Sequence, residues 1–531
     1  MSETVLDAPI IRDVDRKFSW KKFGTIVACG AALFSDGYVN NSVGMVNTIL
    51  KKLYKPIYTE NDFSELVTSI AFAGTVVGML IFGYLSDVVG RKNGMIMATL
   101  IVLVFTALTA GSYYKGDAKG MIQMFIAWRF FTGVGIGAEY PTGSVAAAEK
   151  TEEMPKRFQH GPFVFVTNFA IDMGFVTSAF VGVILTWICG EEHNRLIWRL
   201  LVGLGVVPCL IVLPFRLVME QSKNFQKGAI KYNKIPYGLI LKRYWFQLAA
   251  ISLAWFIYDF ISYPFGLYSS VITDTILGDS APQWQSFGWA TLITSFYLPG
   301  SFFGACIVDF IGPKKTYMIG LTLQIIVGFI MSGLYSKLSS HIAAFCVVYG
   351  LFLSFGEMGP GDNLGLLASK SCATCVKGQF YGIAAAIGKV GAFGGTYAFQ
   401  KLQSHWEDAE GNVTNKNLWN TAPFYLGSGL ACLALLIITF CITEREPNCQ
   451  AKEDEDFREY LAQNGFDLSL MGTDDVLATD ELANEYDYDE KLPKEDSADY
   501  QHDEFVPAAE HAVDAHEGYA PPTYPNQQHV Y

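Results

Sequence analysis

Apolar residues run along this chain in stretches much longer than the strands and amphipathic helices of a soluble protein. Windows near 23–48, 63–86, 94–113, 121–147, 160–188, 197–217, 244–272, 285–310, 315–335, 341–367, 378–400 and 420–442 stand out. Each supplies roughly 20 predominantly apolar residues, the length a helix needs to cross a bilayer. The pattern predicts an all-α membrane protein with twelve spanning helices. It also divides the chain into a leader (1–22), a six-helix half (23–217), a basic loop (218–243), a second six-helix half (244–442) and a tail (443–531) with no apolar period.

Composition agrees. The chain is 51% hydrophobic and 17% charged, where a soluble protein carries about 25% charged residues. Charge is unevenly placed: Glu444 to Tyr531 hold 24 acidic and 5 basic residues, a net of −19, which leaves +6 for the rest of a chain whose total is −13. The acidic tail is therefore expected to be disordered, and the body is not basic enough to bind nucleic acid. With both termini placed in the cytosol, 21 Lys and Arg fall on cytosolic segments against 10 outside, the bias that orients membrane helices. Asn412, in the sequon Asn412-Val413-Thr414, then lies outside as a glycosylation candidate. The expected location is the plasma membrane. Cys372 and Cys375 form a single CxxC pair without the further ligands zinc requires, so no metal or cofactor is expected. With no Gly-x-Ser-x-Gly elbow, His-rich constellation or Walker loop, an enzyme is excluded.

The two halves repeat. Asp87-Val88-Val89-Gly90-Arg91 follows the second window and Asp309-Phe310-Ile311-Gly312-Pro313 follows the eighth, with the aspartates 222 positions apart; Asp36 and Asp259, in the first and seventh windows, are 223 apart. A duplicated six-helix unit places a binding site between the halves near the bilayer midplane and works by alternating access. Asp87, Arg91, Glu149 and Asp309, with Arg157, Glu220 and Lys315, fall at helix ends on one side. They read as gate or structural ion pairs between the halves.

Gly83 to Lys92 resembles the loop signature of the major facilitator superfamily, and Arg129 to Gly137 its fourth helix. Gly137-Ala138-Glu139-Tyr140-Pro141 is similar to the Gly-Gly-Asp-Tyr-Pro stretch of phosphate:proton symporters. Trp255 to Tyr263 and Gly388-Lys389 resemble their seventh and eleventh helices. Ser35 to Asn40, Gly137 to Thr142, Trp255 to Phe260, Gly359 to Gly365 and Phe457 to Gly465 look closer still to the fungal glycerophosphodiester permeases, which carry glycerophosphoinositol or glycerophosphocholine. The chain departs from the simple phosphate carriers in its third helix, where Ile96-Met97-Ala98-Thr99 lacks their glutamate. It departs again at Gly359-Pro360-Gly361, which stands for Gly-Pro-Asn and suits a larger organic ester.

An ionisable group at membrane depth costs about 2.5–3.5 kcal/mol or more, so it faces a cavity or a partner. Seven stand out: Asp36, Arg129, Glu139, Asp172, Asp259, Asp362 and Lys389. The Lys389 ammonium suits a phosphate oxyanion, or is neutralised by a carboxylate such as Asp259; the two readings alternate during transport. Asp36, Glu139 and Asp259 are the proton-coupling candidates, or one of them only orients a helix. Trp255 and Tyr263 lie four residues either side of Asp259 and share its helical face. With Tyr140, Asn168, Asp362 and Asn363 they complete the candidate binding set, in which Asn168 falls near a phosphate-binding Gln of the resembling carriers. Asp172 shares a face with Asn168. It either balances a cationic head group such as choline or sits in water near the outer helix end. Arg129 is expected to bond a neighbouring helix. The expectation is proton-coupled uptake of glycerophosphodiesters by a monomer whose partners are the small organic phosphate, protons and the bilayer; the alternatives are an inorganic phosphate:proton symporter and a nutrient-sensing receptor of the same fold.

Overall fold

The structure, a computed structural model, describes residues 20–61, 63–219, 235–277, 281–406 and 414–471. All of these lie in one unit, Met1–Asp474. Among the described residues ten helical segments are long and apolar enough to cross a membrane. They are α2 (Phe63–Val88), α3 (Arg91–Ala110), α4 (Ala118–Thr151), α5 (Lys156–Cys189), α6 (Glu191–Val218), α7 (Tyr237–Leu277), α8 (Gln283–Ile311), α9 (Pro313–Gly333), α10 (Ile342–Ser369) and α12 (Lys416–Cys441). Two further long helices, α1 (Trp20–Leu53) and α11 (Lys377–Ser404), complete the two sets of six. Both are less apolar because they contribute polar side chains to the interior, Asp36, Asn40 and Asn41 from α1 and Lys389 from α11.

The halves meet along α2 and α11, α5 and α8, and α1 and α7. Within the first half, α2 and α4 approach through two small-residue patterns, Gly74-x-x-x-Gly78 and Gly133-x-x-x-Gly137. A Cβ on any of these four glycines would run into backbone of the facing helix. Close backbone contact of this kind replaces the hydrophobic drive that lipid does not provide. Gly90 and Gly312, 222 positions apart, both have positive φ, 103° and 89°, at the turns into α3 and α9. That backbone region is open to glycine at little cost, and it explains the glycine of the Asp-x-x-Gly step in both halves.

At the end of the bundle that carries these turns, each half caps a helix of the other. Asp87 accepts hydrogen bonds from the amides of Gly378 (2.8 Å) and Gln379 (2.7 Å) at the start of α11. Asp309 accepts from His160 (2.8 Å) and Gly161 (2.9 Å) near the start of α5. Both carboxylates sit at the positive end of a helix dipole. The first cap is reinforced by Arg91, which is 1% exposed. It pairs with Asp87 at 2.6 Å and Glu149 at 3.1 Å and donates to the Thr374 carbonyl across the interface at 3.3 Å. Lys377 adds a pair with Glu152 at 3.3 Å. The opposite end has no buried ion pair among the described residues: it is joined by the Thr48–Ser270 hydroxyl pair (3.3 Å), by exposed Glu191, which accepts from the Gln283 amide at the start of α8, by a Gln283–Asn194 bond at 3.4 Å, and by a Lys52–Asp274 pair at 3.5 Å whose side chains are 38% and 30% exposed. A surface pair of that sort stabilises by about 0–1 kcal/mol, whereas removing one member of a buried pair costs about 3–5 kcal/mol. The Asp87–Asp309 end is thus the more firmly closed.

The segment after α12 departs from its sequence expectation. Residues 443–531 were expected to lack structure, yet Cys449–Gln463 forms a helix, α13, against the Asp87–Asp309 end. Phe457 and Leu461, four apart on one face, are fully buried. Two of its acids are held rather than solvated: Asp454 accepts from the Thr374 amide (2.6 Å) and hydroxyl (2.7 Å), and Glu453 from Arg243 (3.0 Å) and Tyr244 (2.8 Å). Net charge misleads here because a helix with two well-placed apolar residues can spend its carboxylates as acceptors. Residues 472–531, most of the leader, Glu220 with most of the basic loop, and Asn412 of the sequon lie outside the described residues.

Loss of the Asp87 cap removes two charge-assisted hydrogen bonds, each contributing about 1.5–3 kcal/mol. In a variant whose sole cysteine is Cys375, which is 9% exposed beside Thr374, Asp87→Asn should speed alkylation by a water-soluble maleimide in detergent about tenfold. An unchanged rate would show that this end is not held by Asp87.

Candidate functional site

A cavity with about 830 Å³ of empty space lies between the halves. Its walls come from α1, α4, α5, α7, α8, α10 and α11. Of the sequence-selected residues, Tyr140, Asn168, Asp172, Trp255, Asp259, Tyr263, Asp362 and Lys389 line it. Trp255, Asp259 and Tyr263 reach it together because their four-residue spacing puts them on one face of α7.

One pole is cationic. Lys389 Nζ donates to Asp259 Oδ2 at 2.9 Å and to the Tyr263 hydroxyl at 2.6 Å. It also lies 4.0 Å from the centre of the Tyr263 ring and 5.2 Å from that of Tyr140. The ammonium has three N–H donors and spends two, leaving one for an incoming acceptor. The aromatic faces stabilise the cation without neutralising it.

The other pole is acidic. Asp172, Glu357 and Asp362 are 1%, 5% and 2% exposed. Asn168 gives its two amide hydrogens to Glu357 Oε2 (2.9 Å) and Asp362 Oδ1 (2.8 Å), and the Tyr258 hydroxyl donates to Glu357 Oε1 (2.8 Å). Asp172 Oδ2 and Asp362 Oδ2 are buried with no hydrogen-bond partner. Among the described residues no Lys or Arg pairs with any of the three. The reading of Asp172 as a water-exposed acid gives way to a buried one facing the cavity.

Glu139 and Asp36 do not line the cavity. Glu139 is fully buried and bound by Arg216, whose Nη1 lies 2.5 Å from Oε1. The same guanidinium reaches Thr99 (2.8 Å) and the carbonyls of Met95 (2.8 Å) and Cys29 (3.0 Å). Thr99, in the stretch that lacks the carriers' glutamate, donates to Glu139 at 3.3 Å. Asp36 is 1% exposed with neither oxygen hydrogen-bonded, within electrostatic reach of Glu139, Arg216 and Lys389. Asn363 holds the α10 backbone through Gly359 O (2.7 Å) and is not at the cavity surface. Arg129 donates to Val39 O at 3.1 Å and ties α4 to α1.

Two residues escaped the sequence reading. Arg216, at the end of the 197–217 window, is fully buried. Glu357 lies in an apolar window and was passed over, although the repeat points to it: Glu139 adjoins a π-helical turn (Tyr140–Ser144) and Glu357 opens another (Glu357–Gly361), each containing a proline, Pro141 and Pro360. A proline inside a helix removes one backbone donor, and π turns of this kind concentrate at functional sites.

Comparison with known proteins gives one consistent result. The family model described as "Sugar (and other) transporter" matches residues 24–234 and 244–447. The major glycerophosphoinositol permease of Candida albicans is 44% identical over 474 residues, covering 89% of this chain and 87% of that protein. The glycerophosphocholine permease of the same organism is 43% identical over 467 residues, 87% and 86% of the two chains. Among solved structures, the major facilitator superfamily proton:xylose symporter bound to 6-bromo-6-deoxy-D-glucose superposes with a TM-score of 0.67 at 16% identity, over 82% of this chain and 98% of that one.

Removing Arg216 would leave Glu139 as a buried unpaired charge, at about 3–5 kcal/mol. Arg216→Met should therefore lower the thermal unfolding temperature of the purified protein, and adding Glu139→Gln to it should restore most of the loss. Equal losses in the single and double variants would sink the pairing as a source of stability.

Proposed function

Since the chain belongs to the sugar (and other) transporter family of the major facilitator superfamily, we propose that it takes up glycerophosphodiesters together with protons across the plasma membrane. The observation that carries this reading is the Lys389–Asp259–Tyr263 cluster in the cavity between the halves. A phosphodiester is a monoanion that can accept a charge-assisted hydrogen bond from the ammonium. The names of the two Candida albicans permeases support the same substrate class.

Proton coupling follows from competition for Lys389. In the empty site Asp259 holds the ammonium; a proton on Asp259 removes that claim, and the phosphodiester then takes its place. Proton and anion thus favour each other's binding although each touches a different group. When the loaded site opens to the cytosol, loss of the proton lets the Asp259–Lys389 pair re-form and expels the anion. The bias of Lys and Arg toward the Asp87–Asp309 end supports a cytosolic position for it. The weaker joint at the other end then makes opening toward the outside the easier motion.

In a fungal cell lacking its own permeases, uptake of a labelled glycerophosphodiester should fall as external pH rises and collapse with a protonophore. Lys389→Ala should cut uptake by about tenfold or more. Asp259→Asn should abolish accumulation against a gradient while exchange of internal for external ester persists. Uptake indifferent to the proton gradient would refute the coupling; transport of inorganic phosphate alone would refute the substrate.

A further inference from the structure

The acidic pole has no task in the scheme just given. Three buried carboxylates converge on one side of the cavity from α5 and α10. No cation of the protein among the described residues neutralises them, and two of their oxygens, Asp172 Oδ2 and Asp362 Oδ2, are buried without a hydrogen-bond partner while their residues line the empty space. Carboxylates removed from water need a compensating positive charge or a proton. Lys389, on the opposite pole, is already engaged by Asp259.

Three donors around this pole are committed. Asn168 commits both amide hydrogens to Glu357 and Asp362, Asn41 commits its own to Phe175 O (2.9 Å) and Ser178 Oγ (3.0 Å), and the Tyr258 hydroxyl points at Glu357. Tyr297, Ser262 and Asn40 bring further polar groups to the cavity wall, so the carboxylates and the rings, not a lack of donors, set the preference for a cation. Part of the wall beside the carboxylates is aromatic and apolar. Phe175, three residues after Asp172 on the same helix, sits edge-to-face with Tyr297 across the interface at 5.5 Å between ring centres, beside Ile171 and Phe163. Carboxylates set beside ring faces and apolar side chains suit a quaternary ammonium, since it forms no conventional hydrogen bonds and gains from aromatic faces and carboxylates together.

We infer that Asp172, Glu357 and Asp362, walled by Phe175 and Tyr297, form a head-group subsite for an alkylated ammonium, so that the cavity binds a zwitterionic phosphodiester with its phosphate on Lys389 and its cationic alcohol at the acidic pole. This rests on the transport reading above and narrows it to esters whose second alcohol is a choline-like cation. Two fixed poles of opposite sign also fix the orientation of the substrate, because the reversed pose would set phosphate against three carboxylates.

The test uses the full chain in proteoliposomes with an inward proton gradient. Glycerophosphocholine is compared with its uncharged isostere, the glycerophosphate ester of 3,3-dimethylbutanol, which keeps the shape and replaces nitrogen by carbon, and with glycerophosphoinositol. The wild type should take the charged ester about tenfold more efficiently than the isostere. Asp172→Asn should bring that ratio near one, and Asp172→Glu should keep most of it. The wild-type ratio needs no variant, so a misfolded mutant would not hide the answer. A wild-type ratio near one, or a ratio unmoved by Asp172→Asn, overturns the subsite while leaving the transport reading standing. Failure to carry any of the three esters overturns both.

Discussion

A bilayer interior offers no water, so every charge carried into it must be answered from within the protein. That constraint organises this molecule. Backbone polar groups are met inside helices, and helices are brought together by glycine patterns rather than by hydrophobic exclusion. The few ionised side chains fall into separate arrangements: Arg216 with Glu139, Lys389 with Asp259, Arg91 with Asp87 and Glu149, and the carboxylates around Asn168. The first and third are closed upon themselves. The second and fourth face the cavity with capacity to spare, which separates groups that hold the structure from groups that receive something.

The relative strength of the contacts also sets what can move. Where the halves are joined by buried caps and a guanidinium bridged between two carboxylates, separation exposes several unsatisfied charges at once. Where they are joined by two hydroxyls, an exposed carboxylate on the Gln283 amide, a Gln283–Asn194 bond and a half-exposed ion pair, separation costs less. A site reached from one end or the other therefore does not start from an even balance, and whatever binds in the cavity has to supply the difference through contacts that strengthen as the closed end opens. Helix α13, bound to Thr374 beside Arg91 and linked to the first half by the reciprocal Gln159–Asn448 hydrogen bonds (2.6 and 3.0 Å), adds to the load at the firm end.

Much of this was legible in the sequence, for identifiable reasons. Helix-length apolar runs and the 222-residue offset are one-dimensional signals, so the spanning segments and the pairing of Asp87 with Asp309 could be read directly. The spacing of Trp255, Asp259 and Tyr263 needed only helical periodicity. Which charge answers which did not follow. Arg216 lies at the end of its window, so charge counting placed it in a loop, and only packing against α3 and α4 reveals Glu139 as its partner. Glu357 was hidden because a single acid inside a long apolar run barely changes that run's hydropathy. The helix at Cys449–Gln463 was masked by net charge, since two buried apolar residues carry less weight in composition than the acids around them. Asn363 was grouped with Asp362 as a ligand by adjacency, but successive helical positions point about 100° apart, and its amide turns back onto the α10 backbone instead.

The reciprocal caps have a further meaning. Asp87 on the second helix of one half holds the fifth helix of the other, and Asp309 does the same in return, so the contact is isologous in the sense used for two-fold dimers. A self-complementary joint of this kind would also close if the two halves were separate, identical chains. The two limbs differ: the position of Arg91 is taken by Pro313 at the same offset, so among the described residues one limb carries a buried ionic brace that the other lacks. A joint of one braced and one unbraced hinge parts in a fixed order, with the Asp309 limb yielding first.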